Sequence, residues 1–201
     1  PTGLLYAGKP SDVLIKGVKE SASQYKIRVD SLDAGELASR YPQFDIPKHF
    51  EVLFEPDAGF VTPERSIMLF AEQAIKAGAT ICTKAKVNSW RKEDDNILVF
   101  TEKEMYSCKK LVITAGAWAG KFISRLSTKL KVTRQVIMWT IPQDWDAFTL
   151  DKFPCWMIDD ESKPGMYYGF PSLPVGKFGA PIGLKLAYHY PGIVSHADQV
   201  N

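Results

Sequence analysis

The sequence has few cysteines, no long apolar run and no cluster of basic residues, and each absence argues against a class of protein. Cys82, Cys108 and Cys155 are spread over 201 residues without a CxxC pair, which disfavours a metal site or a disulfide framework. We expect them to be buried, reduced thiols of a cytoplasmic protein. No apolar stretch approaches the roughly 18 residues that a membrane span needs, so no membrane partner is expected.

Charge is also nearly balanced. The chain has 25 Lys and Arg against 23 Asp and Glu, a formal net charge of +2, and no run of Lys or Arg stands out. Nucleic acid is therefore not expected as a partner. Hydrophobic residues make up 45% of the chain, an ordinary value for a globular protein, and the length suits one large domain or parts of two.

The first 80 residues alternate strand and helix signals. Helix starts are indicated by Asp12, by Asp33 and by Thr62 followed by Pro63, and the last helix has apolar residues at helical spacing until Gly78 ends it. Apolar runs before and between these helices predict strands at Gly3–Ala7 and Phe50–Phe54.

Strand signals dominate the rest of the chain. An apolar run of buried-strand type covers Leu111–Ala115, and a small-residue turn after it leads into an expected helix beyond Gly120. The other predicted strands are Ala79–Cys82, Val87–Arg91, Ile97–Thr101, Met105–Ser107, Val132–Ile141, Trp156–Asp159, Met166–Phe170 and Gly183–Tyr188.

This order lacks the regular alternation that a single doubly wound parallel sheet requires. It predicts a mixed α/β (α+β) chain made of two interleaved units. We assign one unit to residues 57–126 and the other to residues 1–56 with 127–201.

Four segments of the sequence resemble a known family of flavoenzymes. The segments LVITAGAWAGKFISRL and EPDAGFVTPERSIMLFAEQAIKAGATICTKAKV resemble parts of the FAD-binding domain in the D-amino-acid oxidase superfamily. The pair YYGFPS and GLKLAYH is narrower and resembles the branch of monomeric sarcosine oxidase, N-methyltryptophan oxidase and pipecolate oxidase. The resemblance runs over nearly the whole chain.

The resemblance implies FAD as the cofactor and a Rossmann-like FAD-binding domain, part of which is residues 57–126. The other unit would be a substrate domain built on a mixed, largely antiparallel sheet. In the family, the backbone of the residue matching Val87 meets the adenine, and the turn matching Ala115 and Gly116 passes near the dinucleotide. Trp118 is a further candidate beside the cofactor, with a purely structural role as the alternative. From the residues alone, the small residues of this turn fit an ordinary tight turn as well.

Lys185 is the first candidate catalytic residue. Strand alternation places it opposite Leu184 and Leu186, which fits a solvent-facing lysine on a half-buried strand. The resemblance implies another role, because the matching lysine contacts the flavin N5 through water and activates oxygen. A fixed cation in a dry site stabilises the negative charge that develops on oxygen.

Three more candidates surround this position. His189 follows four residues later and shares the face of Lys185; the family places the matching His beside flavin and substrate. Tyr168 and Met157 match residues that line the substrate pocket. Each of these residues also fits a structural role. His189 could be a surface or structural histidine, Tyr168 could pack in the sheet, and Met157 could pack in the core. The two cationic positions would also favour an anionic carboxylate substrate.

The sequence departs from the family pattern in four respects. The segment between Met157 and Tyr168 is longer and more acidic than expected, which could change the size or charge of the substrate, and Ala187 stands where relatives carry Gly. No GxGxxG follows a strand, although the pyrophosphate of FAD needs such a turn at a helix N-terminus. Cys155 does not match the flavin-attaching cysteine. We therefore expect an internal piece of a longer enzyme that does not bind FAD tightly by itself.

The resemblance implies an FAD-dependent oxidase that acts on the C–N bond of a secondary amino acid, with oxygen as the second substrate, giving an imine and hydrogen peroxide. Within the superfamily, a glycine or D-amino acid oxidase and a 2-hydroxyacid dehydrogenase remain alternatives. A non-catalytic segment that only binds a partner or a small ligand is the alternative outside enzymes.

Overall fold

The computed structural model describes residues 1–176, 181–190 and 192–199. These ranges contain ten strands, five α-helices and three short 3₁₀ helices. The strands are β1 (Leu4–Gly8), β2 (Asp30–Leu32), β3 (Glu51–Glu55), β4 (Val87–Glu93), β5 (Asn96–Thr101), β6 (Met105–Cys108), β7 (Ile137–Thr140), β8 (Cys155–Asp159), β9 (Met166–Phe170) and β10 (Leu184–His189). The α-helices are α1 (Val13–Tyr25), α2 (Ala34–Arg40), α3 (Pro63–Lys76), α4 (Ala119–Phe122) and α5 (Ser124–Ser127).

Seven strands form one mixed sheet in the order β2-β3-β1-β8-β9-β10-β7. The pairing of β1 with β8 is parallel, and the other five pairings are antiparallel. The remaining strands form a separate antiparallel sheet in the order β4-β5-β6. The predicted fold class, a mixed α/β chain with a largely antiparallel sheet, is confirmed.

One face of the seven-stranded sheet, called here the packed face, carries the main hydrophobic core. Leu5 and Ala7 of β1 are fully buried, and Val52 and Phe54 of β3 lie beside them in register. Leu37 of α2 and residues of the 41–50 loop cover this face. Because side chains alternate along a strand, the residues between these positions point to the opposite face, called here the site face.

The predicted helix starts are correct, although they are built differently. Asp33 and Glu36 form a complete capping box at α2, in which each side chain accepts a hydrogen bond from the other residue's backbone N–H. Asp12 occupies the N-cap position of α1, but its Oδ2 accepts from the backbone N–H of Lys9 at 2.7 Å instead of capping the helix. Pro63 is the first residue of α3, as expected.

Two predicted strands are absent. Residues 79–82 and 111–115 are not strands, because no described strand runs beside either segment to pair with its backbone. Side chains in them are consequently open to solvent: Val112 is 82% exposed and Ile81 is 46% exposed. Cys82 is exposed as well, so the expectation that all three cysteines are buried is wrong for this residue; Cys108 is half-buried and Cys155 is buried.

The segment from 116 to 141 is more broken than its pattern predicts. The helix expected after Gly120 is two four-residue helices, α4 and α5, separated by Ile123 in an extended conformation. The long strand predicted for Val132–Ile141 is reduced to β7, which pairs with β10, while Thr133 forms an isolated bridge with Val194. Because Thr133 pairs with Val194 and β7 pairs with β10, the segment does not form one continuous strand.

The chain divides into two compact units, one of residues 1–69 with 135–190 and one of residues 70–134 with 191–201. The first contains the seven-stranded sheet, and the second contains the three-stranded sheet. Compared with the division inferred from the sequence, the second unit begins at 70 instead of 57, continues to 134 instead of 126, and also includes residues 191–201. The functional assignment of 57–126 to cofactor and of the rest to substrate stays a prediction.

Candidate functional site

The seven-stranded sheet brings four of the predicted site residues onto its site face. Met157 of β8 is directly opposite Tyr168 of β9, and Tyr168 is opposite Ala187 of β10. Lys185 and His189 lie two residues to either side of Ala187 on the same strand, so their side chains leave the same face. Side chains that are up to 32 residues apart in sequence therefore share this face.

Lys185 lies between two aromatic rings on the site face. It is in register with Phe170 on one side and with Trp139 on the other, and its Nζ is 5.3 Å and 5.7 Å from their ring centroids. Both distances suit a cation–π contact. Among the described residues no carboxylate forms an ion pair with Lys185, so its charge is not neutralised. The side chain is half-buried rather than fully solvated.

Sequence reasoning did not single out these two aromatic residues. Phe170 could have been predicted, because it is two residues from Tyr168 in the same strand and alternation puts both on one face. Trp139 could not be found from the local pattern, since its place beside Lys185 depends on which strand pairs with β10.

A continuous row of rings extends from Lys185 along the site face. The Phe170 ring meets Tyr168 edge-on, with centroids 5.8 Å apart, and Tyr168 meets the imidazole of His189 at 6.1 Å. Tyr168 is half-buried and His189 is exposed. The face thus presents a cation at one end of an aromatic row and a titratable ring at the other.

The acidic segment after β8 is tied to its surroundings by charge. Glu161 Oε1 is 2.6 Å from His49 Nε2 and 3.1 Å from Lys9 Nζ, and these two partners hold the pKa of the Glu161 carboxyl below its usual range. Asp160 accepts from the hydroxyl and the backbone N–H of Ser162, which lowers its pKa. These two carboxylates therefore have partners within the protein.

Asp159 is in a different position. Burial raises its pKa, and the adjacent carboxyl of Asp12 raises it further through a hydrogen bond and through charge repulsion. Two carboxyls that share a hydrogen bond favour a protonated state of one of them. The pair lies where the start of α1 meets the end of β8. Near neutral pH the two carboxyl groups repel each other there.

In the second unit, two predicted cofactor residues line a single cavity. Val87 at the start of β4 and Ala115 border a cavity of about 240 Å³ whose other walls are mostly apolar. Gly116 follows with φ +51, and a Cβ added there would meet nothing within 4 Å. The backbone at this turn is accessible to a close neighbour. Trp118 is not part of the cavity wall; its Nε1 donates to Asp198 Oδ1 at 2.8 Å.

These features fit part of a dinucleotide rather than a whole FAD. An apolar cavity of this size suits one flat ring, and an open glycine turn allows a phosphate to approach the backbone. The structure contains no group of three or more His, Cys, Asp or Glu residues placed to hold a metal within the described ranges. No helix among the described residues is long and apolar enough to cross a membrane.

Comparison with known proteins identifies the family of the chain. Residues 1–178 match the model of a family described as FAD dependent oxidoreductase. The chain is 31% identical to monomeric sarcosine oxidase of Bacillus sp. (strain B-0618), over 100% of this chain and 50% of that protein. It is 28% identical to N-methyl-L-tryptophan oxidase of Shigella dysenteriae serotype 1 (strain Sd197), over 98% of this chain and 50% of that protein.

A solved structure is similar in fold. NikD, an unusual amino acid oxidase essential for nikkomycin biosynthesis, superposes with a TM-score of 0.74 at 17% identity, over 100% of this chain and 52% of that chain. The chain thus spans about half the length of the relatives that it matches. The chain shares its fold with the matched half of that structure. With 178 of 201 residues matched, this chain belongs to the family of FAD dependent oxidoreductases.

Proposed function

We propose that this chain is part of an FAD-dependent oxidase that oxidises the C–N bond of a secondary amino acid, giving an imine and hydrogen peroxide. The observation that carries the proposal is Lys185, a cation held between two aromatic rings on the site face and without a carboxylate partner in the part of the chain that the structure describes. The substrate class follows from the relatives, which are oxidases of sarcosine and of N-methyl-L-tryptophan.

Lys185 is proposed to stabilise negative charge that develops on oxygen. Its ammonium has no carboxylate partner among the described residues, and its flanking rings limit the access of water. A fixed cation in such surroundings requires little reorganisation when charge appears beside it. The expected loss on removing one such group is about 10²- to 10³-fold in the step that it serves.

Tyr168, Met157 and His189 are proposed to position the amino acid. Tyr168 and Met157 are opposite each other and supply a ring, a hydroxyl and a thioether for a small substrate. His189 and Lys185 add positive potential, which favours a substrate carboxylate. These groups orient the amine and supply charge, and no described side chain is required as an obligatory base.

FAD, when bound, supplies the acceptor for the two electrons removed from the C–N bond and passes them to oxygen. Val87, Ala115 and Gly116 are the residues that would hold its dinucleotide part, with Trp118 nearby in sequence. We propose that residues 57–126 belong to a Rossmann-like FAD-binding domain, and that residues 1–56 and 127–201 belong to the substrate domain. Hydrogen exchange of a complete oxidase chain with and without FAD tests this, because FAD should slow exchange at 87 and 115–116.

The decisive test is oxygen-dependent peroxide production by a complete oxidase chain that contains these residues. Sarcosine and pipecolate should each give peroxide, and 2-hydroxyglutarate should not. Oxidation of the hydroxyacid alone would favour a dehydrogenase, and no turnover would favour a non-catalytic role. Oxidation of glycine in preference to sarcosine would move the assignment to a glycine oxidase.

Lys185→Met should then slow the reaction with oxygen by about 10²-fold or more, while reduction by the amine changes much less. Lys163→Met is the matched control. Lys163 also lies over an aromatic ring, with Nζ 4.2 Å from the Tyr188 centroid, but on the packed face. Equal effects of the two substitutions would contradict the proposed role.

The same proposal places the protein in the cytoplasm, where the exposed thiol of Cys82 would stay reduced. Cell fractionation of the native protein tests this directly.

A further inference from the structure

A second cavity, separate from the row of rings, opens on the site face. It has a volume of about 450 Å³ and lies between α1 and the strands β1 and β3. Apolar side chains of α1, among them Leu14 and Val18, form one wall, and Met166 contributes to the rim. A volume of this order accommodates a ring or a short alkyl chain.

Apart from Ser21, the polar side chains that line this cavity form one pair. The hydroxyl of Tyr6 donates a hydrogen bond of 2.9 Å to Glu55 Oε2, and both side chains line the cavity. Burial, followed by the hydrogen bond to Glu55, raises the pKa of Tyr6, so this hydroxyl remains a donor at neutral pH. The pair is therefore a carboxylate that accepts from a neutral phenol.

The charge of Glu55 is not balanced by any cation that the structure describes. Among the described residues no Lys, Arg or His forms an ion pair with it, whereas Glu51 on the same face of the same strand is 2.7 Å from Lys19 Nζ. A carboxylate can accept about four hydrogen bonds, and Tyr6 supplies one. A half-buried charge beside apolar walls favours a ligand that brings a cation or an N–H donor.

In the strand order, the cavity also lies next to the proposed substrate residues. Tyr6 is paired with Met157 across the parallel β1–β8 contact, and Met157 is opposite Tyr168. A group bound over Tyr6 would therefore be one strand from Met157 and two strands from Tyr168. This spacing suits the far end of a molecule whose reacting end lies at Tyr168.

We propose that this cavity binds the distal part of the substrate, an aryl or alkyl group that ends in an ammonium or another N–H donor, and that Glu55 accepts from that donor. The substrate class is then a secondary amino acid with a long, donor-bearing side chain. This inference rests on the proposed amine oxidase function for the identity of the ligand as substrate, but the binding chemistry stands by itself.

Binding is tested first, on the 201-residue chain, by NMR titration with phenethylamine and with 3-phenylpropionate. These probes have the same ring and opposite charge. Phenethylamine should shift the signals of Val13, Val18 and Ala22 and bind at least tenfold more tightly than the acid. Glu55→Gln should remove that preference, and Glu51→Gln, which deletes a charge on the same strand, should keep it. Equal affinity for both probes, or an unchanged preference in Glu55→Gln, overturns the inference.

Turnover is tested second, in a complete oxidase chain. Val18→Phe, which fills the cavity from α1, should raise the KM of an N-methyl amino acid with an arylalkylamine side chain at least tenfold. It should leave kcat/KM for sarcosine within twofold. If Val18→Phe oxidises both substrates with unchanged kcat and KM, the inference is overturned and the proposed function remains intact. If a ligand binds at Glu55 but no amine is oxidised, the proposed function is overturned. The role of that ligand as a substrate is then overturned as well.

Discussion

Gly169 offers a stringent test of how the seven-stranded sheet is packed. It is buried in β9 and directly opposite Trp156 of β8. A Cβ at this position would lie 2.5 Å from the Cε2 and Cζ2 atoms of that indole and 2.6 Å from its Nε1. Ordinary contacts need about 1 Å more, and the ring is confined by the core cluster on the packed face, where Phe44 meets it edge-on.

The expected cost of Gly169→Ala follows from these distances. Overpacking a filled core costs about 1–3 kcal/mol. Replacing Gly by Ala in a regular element returns roughly 0.5–1 kcal/mol through lower chain entropy in the unfolded state. We therefore expect a net loss of about 1–2 kcal/mol in the free energy of unfolding, a large share of the roughly 5–15 kcal/mol typical of a domain.

Urea unfolding of the 201-residue chain, followed by circular dichroism and by tryptophan fluorescence, measures this loss. Gly17→Ala is the control, because its Cβ would meet nothing within 4 Å in the middle of α1, and a gain of roughly 0.5–1 kcal/mol is expected. Trp156→Phe should relieve part of the clash, so the double variant should be more stable than the sum of the single effects predicts. A Gly169→Ala variant as stable as the wild type, or strictly additive effects, would refute the reasoning.

Three further outcomes are expected from urea unfolding. Asp159→Asn should raise stability at pH 7 by less than about 1 kcal/mol, since solvent screens this partly exposed pair with Asp12. A carboxyl whose folded pKa is raised adds stability below its unfolded pKa and loses it as pH rises through the folded value, so the gain should vanish near pH 3; the same gain at both values would contradict this. Asp33→Ala should cost about 1 kcal/mol by removing the capping box, whereas an unchanged midpoint would mean that α2 is held by packing alone. Leu5→Ala should lower the free energy of unfolding by about 2–5 kcal/mol because the side chain is fully buried. A loss below about 1 kcal/mol would mean that Leu5 is not part of the main core.

Local signals were sufficient wherever a segment's structure depends on its own residues. Asp33 was identified as a helix start from its residue type and the helical signals after it, and its cap is completed locally by Glu36, three positions away. The strand Met166–Phe170 has the limits that its aromatic pattern predicts. The shared face of Lys185 and His189 also follows from alternation alone.

Segments that depend on a distant partner were predicted less well. The apolar run 111–115 reads as a buried strand, but its backbone has no described strand beside it. The pattern of Val132–Ile141 gives no sign that the chain changes partner after Thr133. The Tyr6–Glu55 pair was missed for the same reason, because nothing local connects residues 49 positions apart.

The parallel pairing of β1 with β8 has a consequence for biosynthesis. Residues 70–134, which belong to the second unit, are translated after β1 and before β8, the strand that pairs with one edge of β1. At about 5–20 residues per second, the interval of roughly 100 residues between β3 and β8 lasts on the order of 5 to 20 s. During that time the free edge of β1 offers unpaired amides to any other extended chain, so the nascent polypeptide is open to edge-to-edge pairing until β8 emerges from the ribosome.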